Sequence, residues 1–267
     1  MGIVLQRVIF NKPHRELQKT IVGLLNKQTG ISPVNISKAA ISLLKFEPCV
    51  KNNLKFVGDE ETQNLLDIIS DLSKFTLLLK LMSVCPLPDL ELEKLLTNLR
   101  SSILSNISSI KKASRDLIKF QSALALQCFT NEYIYSQTEE EDKILRSLDT
   151  SVKNALKNKE QPSPQIILAL ASYKALKDYE WCDFLVITDH IKDVFDRQIG
   201  EPIEEEKLKQ DIPQLSEITD RTSSKVRAQY EESPYPRWIK VGLTLKPMLI
   251  SKVLDEIDLK LHNSKIS

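Results

Sequence analysis

Residues 117–135 read LIKFQSALALQCFTNEYIY, a stretch that is apolar on nearly every side when it is drawn as a helix. A helix that is hydrophobic all round is usually buried at the centre of a protein. The stretch therefore predicts a central helix against which other elements pack. Because apolar residues on both sides of it also recur at helical spacing, the sequence predicts an all-α fold, an irregular multi-helix bundle.

The flanking helices have recognisable start signals. Asn11 and Ser32 are typical N-cap residues with a proline within the next two positions, and Thr138 with Glu141 has the pattern of a capping box. Helices are predicted over 11–27, 33–47, 61–84, 90–107, 138–158, 164–176, 181–198 and 221–230. The first two are short and closely connected, which is the unit of an α-solenoid. Residues 1–58 are therefore interpreted as an N-terminal helical pair and a candidate helical-repeat remnant.

Two further regions follow this pair. Residues 59–199 are predicted to form the main helical bundle. From Gly200 onward the composition changes, because acidic residues and prolines become frequent. The apolar residues there also recur at less regular intervals. Residues 200–267 are predicted to form an extended C-terminal linker arm that ends in an amphipathic tail.

The composition excludes several classes of partner. Lys plus Arg number 37 and Asp plus Glu number 36, so no global positive charge draws the chain to nucleic acid. No apolar run is long enough to cross a bilayer, and no signal peptide is visible. The four cysteines are widely spaced and form neither a zinc motif nor a secreted disulfide framework. We therefore expect a soluble, cytoplasmic protein with no membrane or nucleic-acid partner.

Motifs that carry chemistry are also missing from the sequence. No two of its six glycines are close enough to build the glycine-rich loop of a nucleotide-type cofactor site. Cys182 and His190 would lie about 12 Å apart along a helix, too far to share a proton. The acidic residues 139–141 lack further metal ligands nearby, and they fit a capping box better than a metal site. We predict no catalytic, cofactor or metal site in this chain.

The most specific signal is QYEESPYPRW at residues 229–238. Prolines stiffen the backbone around its aromatic rings, so the segment would lose little entropy on docking, and Arg and Trp are favoured interface anchors. The alternative is that the same rings hold the arm against its own bundle. The candidate contact residues are Gln229, Tyr230, Glu231, Pro234, Tyr235, Pro236, Arg237 and Trp238.

A family resemblance rests first on residues 201–238. Their sequence is EPIEEEKLKQDIPQLSEITDRTSSKVRAQYEESPYPRW. They closely resemble the linker that precedes the catalytic domain in bacterial tetratricopeptide-repeat-coupled, S-adenosylmethionine-dependent methyltransferases. Residues 87–104, LPDLELEKLLTNLRSSIL, and residues 123–141, ALALQCFTNEYIYSQTEEE, resemble the helical region of that family, as do the surroundings of residues 173–181. The resemblance covers most of residues 65–238.

The chain departs from the family where a class I catalytic domain and its glycine-rich cofactor loop should follow. The resemblance therefore implies a methyltransferase context, with S-adenosylmethionine expected only in the catalytic domain that this chain lacks. By analogy, the contact residues of 229–238 would form part of a lid over the cofactor or the substrate. We expect a non-catalytic accessory module that binds a protein partner, such as a separately encoded methyltransferase domain. The alternatives are an intact methyltransferase with an unrecognised cofactor site and a truncated, functionless remnant.

Overall fold

The structure, a computed structural model, describes residues 5, 8–26, 31–56, 62–210, 220–232 and 249, without the side chains of residues 221 and 230–232. Helices account for most of these residues, and none of them lies in a strand, so the predicted all-α bundle is confirmed. The helices are α1 (Arg15–Asn26), α2 (Pro33–Lys45), α3 (Pro48–Asn53), α4 (Thr62–Ser73), α5 (Thr76–Val84), α6 (Leu90–Ser105), α7 (Arg115–Thr130), α8 (Glu139–Lys157), α9 (Pro164–Ala171), α10 (Lys192–Phe195), α11 (Glu201–Gln210) and α12 (Arg221–Glu232). Within the described part of the chain, no helix is both long enough and apolar enough to cross a bilayer.

Helix α7 lies at the centre of the bundle, as residues 117–135 predict. It packs most extensively against α5, and it also contacts α4, α9 and α10. Most of its side chains are buried, including polar Gln121 and Gln127. The helix ends at Thr130, and the chain then turns sharply through Glu132 and Tyr133, whose φ angles of 57° and 55° are left-handed.

Two hydrophobic clusters form the core, and α7 contributes to both. The first cluster contains Leu117, Phe120 and Leu124 of α7 together with buried residues of α1 to α6. The second contains Ile118, Ala125 and Leu126 of α7 together with buried residues of α8, α9 and α10. The first cluster thus joins residues on both sides of position 58, while the division into regions 1–58, 59–199 and 200–267 stays a prediction.

The helix starts are set by local hydrogen bonds, and one of them differs from the prediction. The capping box of α8 is present: Thr138 Oγ1 accepts from the Glu141 N–H at 3.2 Å, and Glu141 Oε2 accepts from the Thr138 N–H at 2.8 Å. Helix α1, however, starts at Arg15 rather than at Asn11. The imidazole of His14 accepts from the Leu17 N–H at 3.2 Å and therefore takes the capping role.

Two predicted helical segments are divided in the structure. The segment 61–84 forms α4 and α5, separated by a turn in which the Phe75 N–H donates to Leu72. The prediction of a single helix over residues 181–198 is wrong. Its first half is a 3-10 turn at Cys182–Phe184 followed by irregular backbone, and its second half is α10 with a π-helical turn at Asp196–Gly200. The described parts of the C-terminal arm, α11 and α12, are helical.

Candidate interaction surface

Only the beginning of the predicted contact segment 229–238 falls within the described residues. Gln229 is exposed on α12, and the backbone of Tyr230 and Glu231 continues that helix. The side chains of Tyr230 and Glu231 lie outside the described residues, as do Pro234, Tyr235, Pro236, Arg237 and Trp238. A lid formed by this segment therefore stays a prediction.

The cysteine side chains are held in their neutral form. Burial raises the pKa of Cys85 and of Cys128 to about 12. Cys182 donates to the neighbouring Asp183 carboxylate at 3.6 Å, and burial together with that carboxylate raises its pKa. A thiol that is kept protonated is a poor nucleophile and a poor metal ligand. No group of three side chains that could hold a metal ion occurs among the described residues.

A buried polar cluster surrounds Arg100 of α6, whose side chain is almost fully enclosed. Its guanidinium lies over the ring of Tyr173, 4.0 Å from the ring centroid, and donates to the carbonyl of Ser136 at 2.5 Å. The Tyr173 hydroxyl in turn donates to the buried carboxylate of Glu141 at 2.5 Å. These contacts fix the connection between α7 and α8, and they give the cluster a role in holding the fold.

The most distinctive surface is an apolar patch formed by Phe184, Val186 and Ile187. These side chains are 69%, 59% and 48% exposed, whereas Leu185 between them is buried in the second core cluster. The buried leucine anchors the segment, and its neighbours face outward. Isolated exposed apolar residues are common, but three within four positions on one anchored loop mark a candidate contact surface.

The backbone beneath the patch is held by one side chain. Gln161 accepts from the Val186 N–H at 2.9 Å and donates to the Phe184 carbonyl at 3.1 Å. The side-chain amide thus bonds to this stretch at two points, much as a neighbouring strand would. These bonds satisfy the Phe184 carbonyl and the Val186 N–H, whereas the N–H groups of Phe184 and Leu185 bond to Trp181 and Cys182 in the 3-10 turn.

A cleft of about 320 Å³ lies beside Phe184 and is lined by Leu156, Trp181 and nearby lysines. The Trp181 indole donates to Asp149 at 2.6 Å and stacks on Tyr179, with ring centroids 4.7 Å apart. These contacts fix the tryptophan in the floor of the cleft.

The rim of the cleft is charged. Lys153 pairs with Asp149 and Glu180 at 3.2 and 3.4 Å. Lys157, by contrast, forms no salt bridge with any carboxylate in the described part of the chain. The apolar cleft and the neighbouring Lys157 together suit a partner that presents an apolar side chain next to an acidic group.

Sequence reasoning missed this surface because it assigned residues 181–198 to a single helix. In the structure the backbone of residues 185–188 is irregular, and Leu185 is buried whereas Val186 and Ile187 are exposed. One signal was present, since Val186, Ile187 and Thr188 are consecutive β-branched residues, which favour extended backbone.

No family model matches the chain, and no match to it was found among curated proteins or among solved structures.

Proposed function

We propose that this chain is a non-catalytic helical module that binds a protein partner through the apolar patch. The observation that carries the proposal is the exposure of Phe184, Val186 and Ile187 on a backbone fixed by Gln161. Because that backbone is already ordered, docking costs little conformational entropy. Phe184 also provides an exposed aromatic ring, the kind of side chain that dominates many interfaces.

The proposed partner is a class I S-adenosylmethionine-dependent methyltransferase domain. Support for this identity comes from the resemblance of residues 65–238 to the helical and linker region of such enzymes. In this proposal the partner domain binds S-adenosylmethionine, and residues 229–238 contribute a lid segment to it. The exposed side chain of Gln229 is available for that contact.

Calorimetry with a separately expressed class I S-adenosylmethionine-dependent methyltransferase domain tests the proposal. We expect the full-length chain to bind it, and we expect Val186→Asp to weaken binding by at least about tenfold, because a carboxylate would be buried without a partner. Ile134→Asp is the matched control, since Ile134 is similarly exposed (65%) on a different loop. Equal loss of binding in both variants would contradict a specific role for the patch.

A second titration addresses catalysis by this chain. S-adenosylmethionine added to the chain alone should give no binding heat, because the sequence offers no glycine-rich loop for the cofactor. Binding by the chain alone would contradict the proposal and would favour the alternative of an intact methyltransferase. If the chain bound neither the cofactor nor the catalytic domain, the alternative of a functionless remnant would be favoured.

A further inference from the structure

The C-terminal arm is joined to the bundle by one helical path that changes its winding on the way. Helix α10, the π-helical turn Asp196–Gly200 and helix α11 follow one another without a break. In the turn the Glu201 N–H donates to the Asp196 carbonyl five residues earlier, whereas an α-helix bonds four residues back. The turn lies at a boundary, because Val194 and Ile199 belong to the second core cluster and no side chain of α11 is buried.

The side chain of Gln198 is the polar group that this turn places in the core, and it is fully buried. Its amide nitrogen donates to the carbonyls of Ala125 at 3.2 Å and Ala171 at 3.0 Å. Its amide oxygen accepts from the Leu176 N–H at 3.0 Å. One side chain thus bonds to α7, to the end of α9 and to the 3-10 turn Leu176–Asp178. These bonds hold residue 198 inward, because breaking them would leave buried polar groups without partners.

Pro202 favours the same winding from the other end of the turn. A proline inside a helix has no N–H to donate, and its ring clashes with the carbonyl four residues earlier. That carbonyl belongs to Gln198. A wider turn relieves the clash, and sharp kinks in helices usually coincide with a proline or a π-turn. Two features therefore favour the turn, and substitution can separate them.

We propose that Gln198 is a positioning residue that sets the orientation of α11 relative to the bundle. Its three bonds keep residue 198 in the core, and the turn widens to allow this, so that α11 begins at a rotated position. A π-turn contains about one residue more than an α-turn, and one residue corresponds to about 100° of rotation in an α-helix. Relaxation of the turn to α-helix would therefore rotate α11 by about 100° around its axis.

The orientation of the arm is then set by the core of the bundle. The predicted contact segment 229–238 follows α11 along the chain, so the orientation of α11 decides the side of the bundle from which the rest of the arm starts. This role is separate from the apolar patch. It gives the bundle a second task beyond the proposed function, which is to present the arm in one direction.

Distances between two spin labels on the full-length chain, measured by double electron–electron resonance, test the proposal. One label is attached to α11 through Glu205→Cys. The other is attached through Lys143→Cys on α8 or, in a second sample, through Lys94→Cys on α6, and all three positions are exposed. Each pair should give one narrow distance distribution, because the bonds of Gln198 hold the arm in one orientation.

Two of the four native cysteines are replaced by serine in these samples, so that only the introduced sites take a label. Cys49 is partly exposed, and Cys182 lies in the same 3-10 turn as the exposed Phe184. Cys85 and Cys128 can stay, because both are buried in the first core cluster and burial raises the pKa of each to about 12.

The decisive variant combines Gln198→Met with Pro202→Ala. Methionine makes none of the three hydrogen bonds, and alanine supplies the N–H that an α-helix needs at position 202. The label on α11 should then move by about 8 Å, because a side chain about 5–6 Å from the helix axis is rotated by about 100°. We expect at least one of the two label distances to shift by several ångströms. Pro202→Ala alone is the matched control and should leave both distances unchanged, since Gln198 still holds the turn.

Three results would overturn the proposal. Unchanged distances in the double variant would show that Gln198 does not hold the turn, and an equal shift in Pro202→Ala alone would assign the turn to the proline. Broad distributions in the labelled protein with Gln198 and Pro202 intact would show that the arm has no set orientation.

Two further samples keep the result interpretable. Circular dichroism checks the folding of each variant. Gln198→Asn with Pro202→Ala replaces the methionine variant if that variant is unfolded, and the same shift is expected because the shorter amide does not reach all three partners. Val186→Asp should leave both distances unchanged, which separates this inference from the proposed function.

Discussion

Arg100 shows how a single buried side chain holds a connection between helices. Its guanidinium spans α6, the carbonyls of Tyr135 and Ser136, and the ring of Tyr173. The backbone that follows α7 is thereby tied to α6 although the loop itself makes little regular structure. A buried charge of this kind is tolerated only where hydrogen bonds and an aromatic face replace water.

Arg100→Ala should lower the free energy of unfolding by about 3 kcal/mol, because two carbonyls would lose their donor and a cavity would open beside Tyr173. Urea unfolding followed by circular dichroism measures this change. Arg146→Ala, at an exposed position of α8, should change the same quantity by less than about 0.5 kcal/mol. Equal effects of the two substitutions would contradict the role assigned to Arg100.

Gly23 lies in the interior of α1, and a Cβ placed on it would meet no atom within 4 Å. Gly23→Ala should therefore raise the free energy of unfolding by about 0.5–1 kcal/mol, because alanine has the higher helix propensity and restricts the unfolded chain. Thermal denaturation checks the sign of the effect. Gly23→Pro serves as the opposite case, since it should destabilise the helix by about 3 kcal/mol.

Residue-scale features could be predicted where the partners are close in sequence. Thr138 and Glu141 are three positions apart, so their spacing alone indicates the capping box. The carbonyl partners of Arg100 are 35 and 36 positions away, and the packing of several helices brings them together. Because these partners are so far apart along the chain, no local sequence pattern predicted the buried polar cluster.

At the scale of elements, the segment 184–187 shows local helical spacing overridden by tertiary contacts. The apolar residues of 181–198 permit a helix, but Gln161, 23 and 25 positions upstream, bonds to the backbone of Phe184 and Val186. A local sequence pattern does not reveal that a distant side chain will take the backbone hydrogen bonds of a segment. The apolar patch was therefore not predicted beyond the β-branched run at residues 186–188, and the contact role of the proline-aromatic segment 229–238 stays a prediction.

Gln161→Ala should speed hydrogen exchange of the Val186 amide by about five- to tenfold, because it removes the acceptor of that N–H and with it about 1 kcal/mol of local stability. Exchange measured by NMR tests this expectation. Gln161→Glu keeps an acceptor for Val186 but loses the donor to Phe184, so its exchange rate should be intermediate. Unchanged exchange in both variants would show that Gln161 does not hold the loop.

At the scale of the whole molecule, α7 joins the two core clusters into one structure. Its all-round hydrophobicity allowed its central position to be predicted from residues 117–135, because no other arrangement buries every face. The partition of its side chains between two clusters, by contrast, depends on which helices pack on each face. Neither cluster can lose its contacts without exposing part of α7.

Unfolding should therefore occur in a single transition. Trp181 reports on the second cluster through its fluorescence, and far-ultraviolet circular dichroism reports on the helices of both. In a Trp238→Phe background, the two signals should give the same denaturant midpoint. Separate midpoints would show that the clusters unfold independently.

The chemical reactivity of the buried thiols can also show how often the packed core opens to solvent. With a pKa of about 12, Cys85 and Cys128 carry only about one thiolate in ten thousand at pH 8, and an unfolded cysteine with a pKa of about 8.5 carries far more. A thiol reagent such as Ellman's should modify these two residues only as fast as the packed pair α5 and α7 comes apart. The labelling rate of these two thiols, measured residue by residue by mass spectrometry and so kept apart from the partly exposed Cys49, would then report how often the centre of the fold is exposed to solvent.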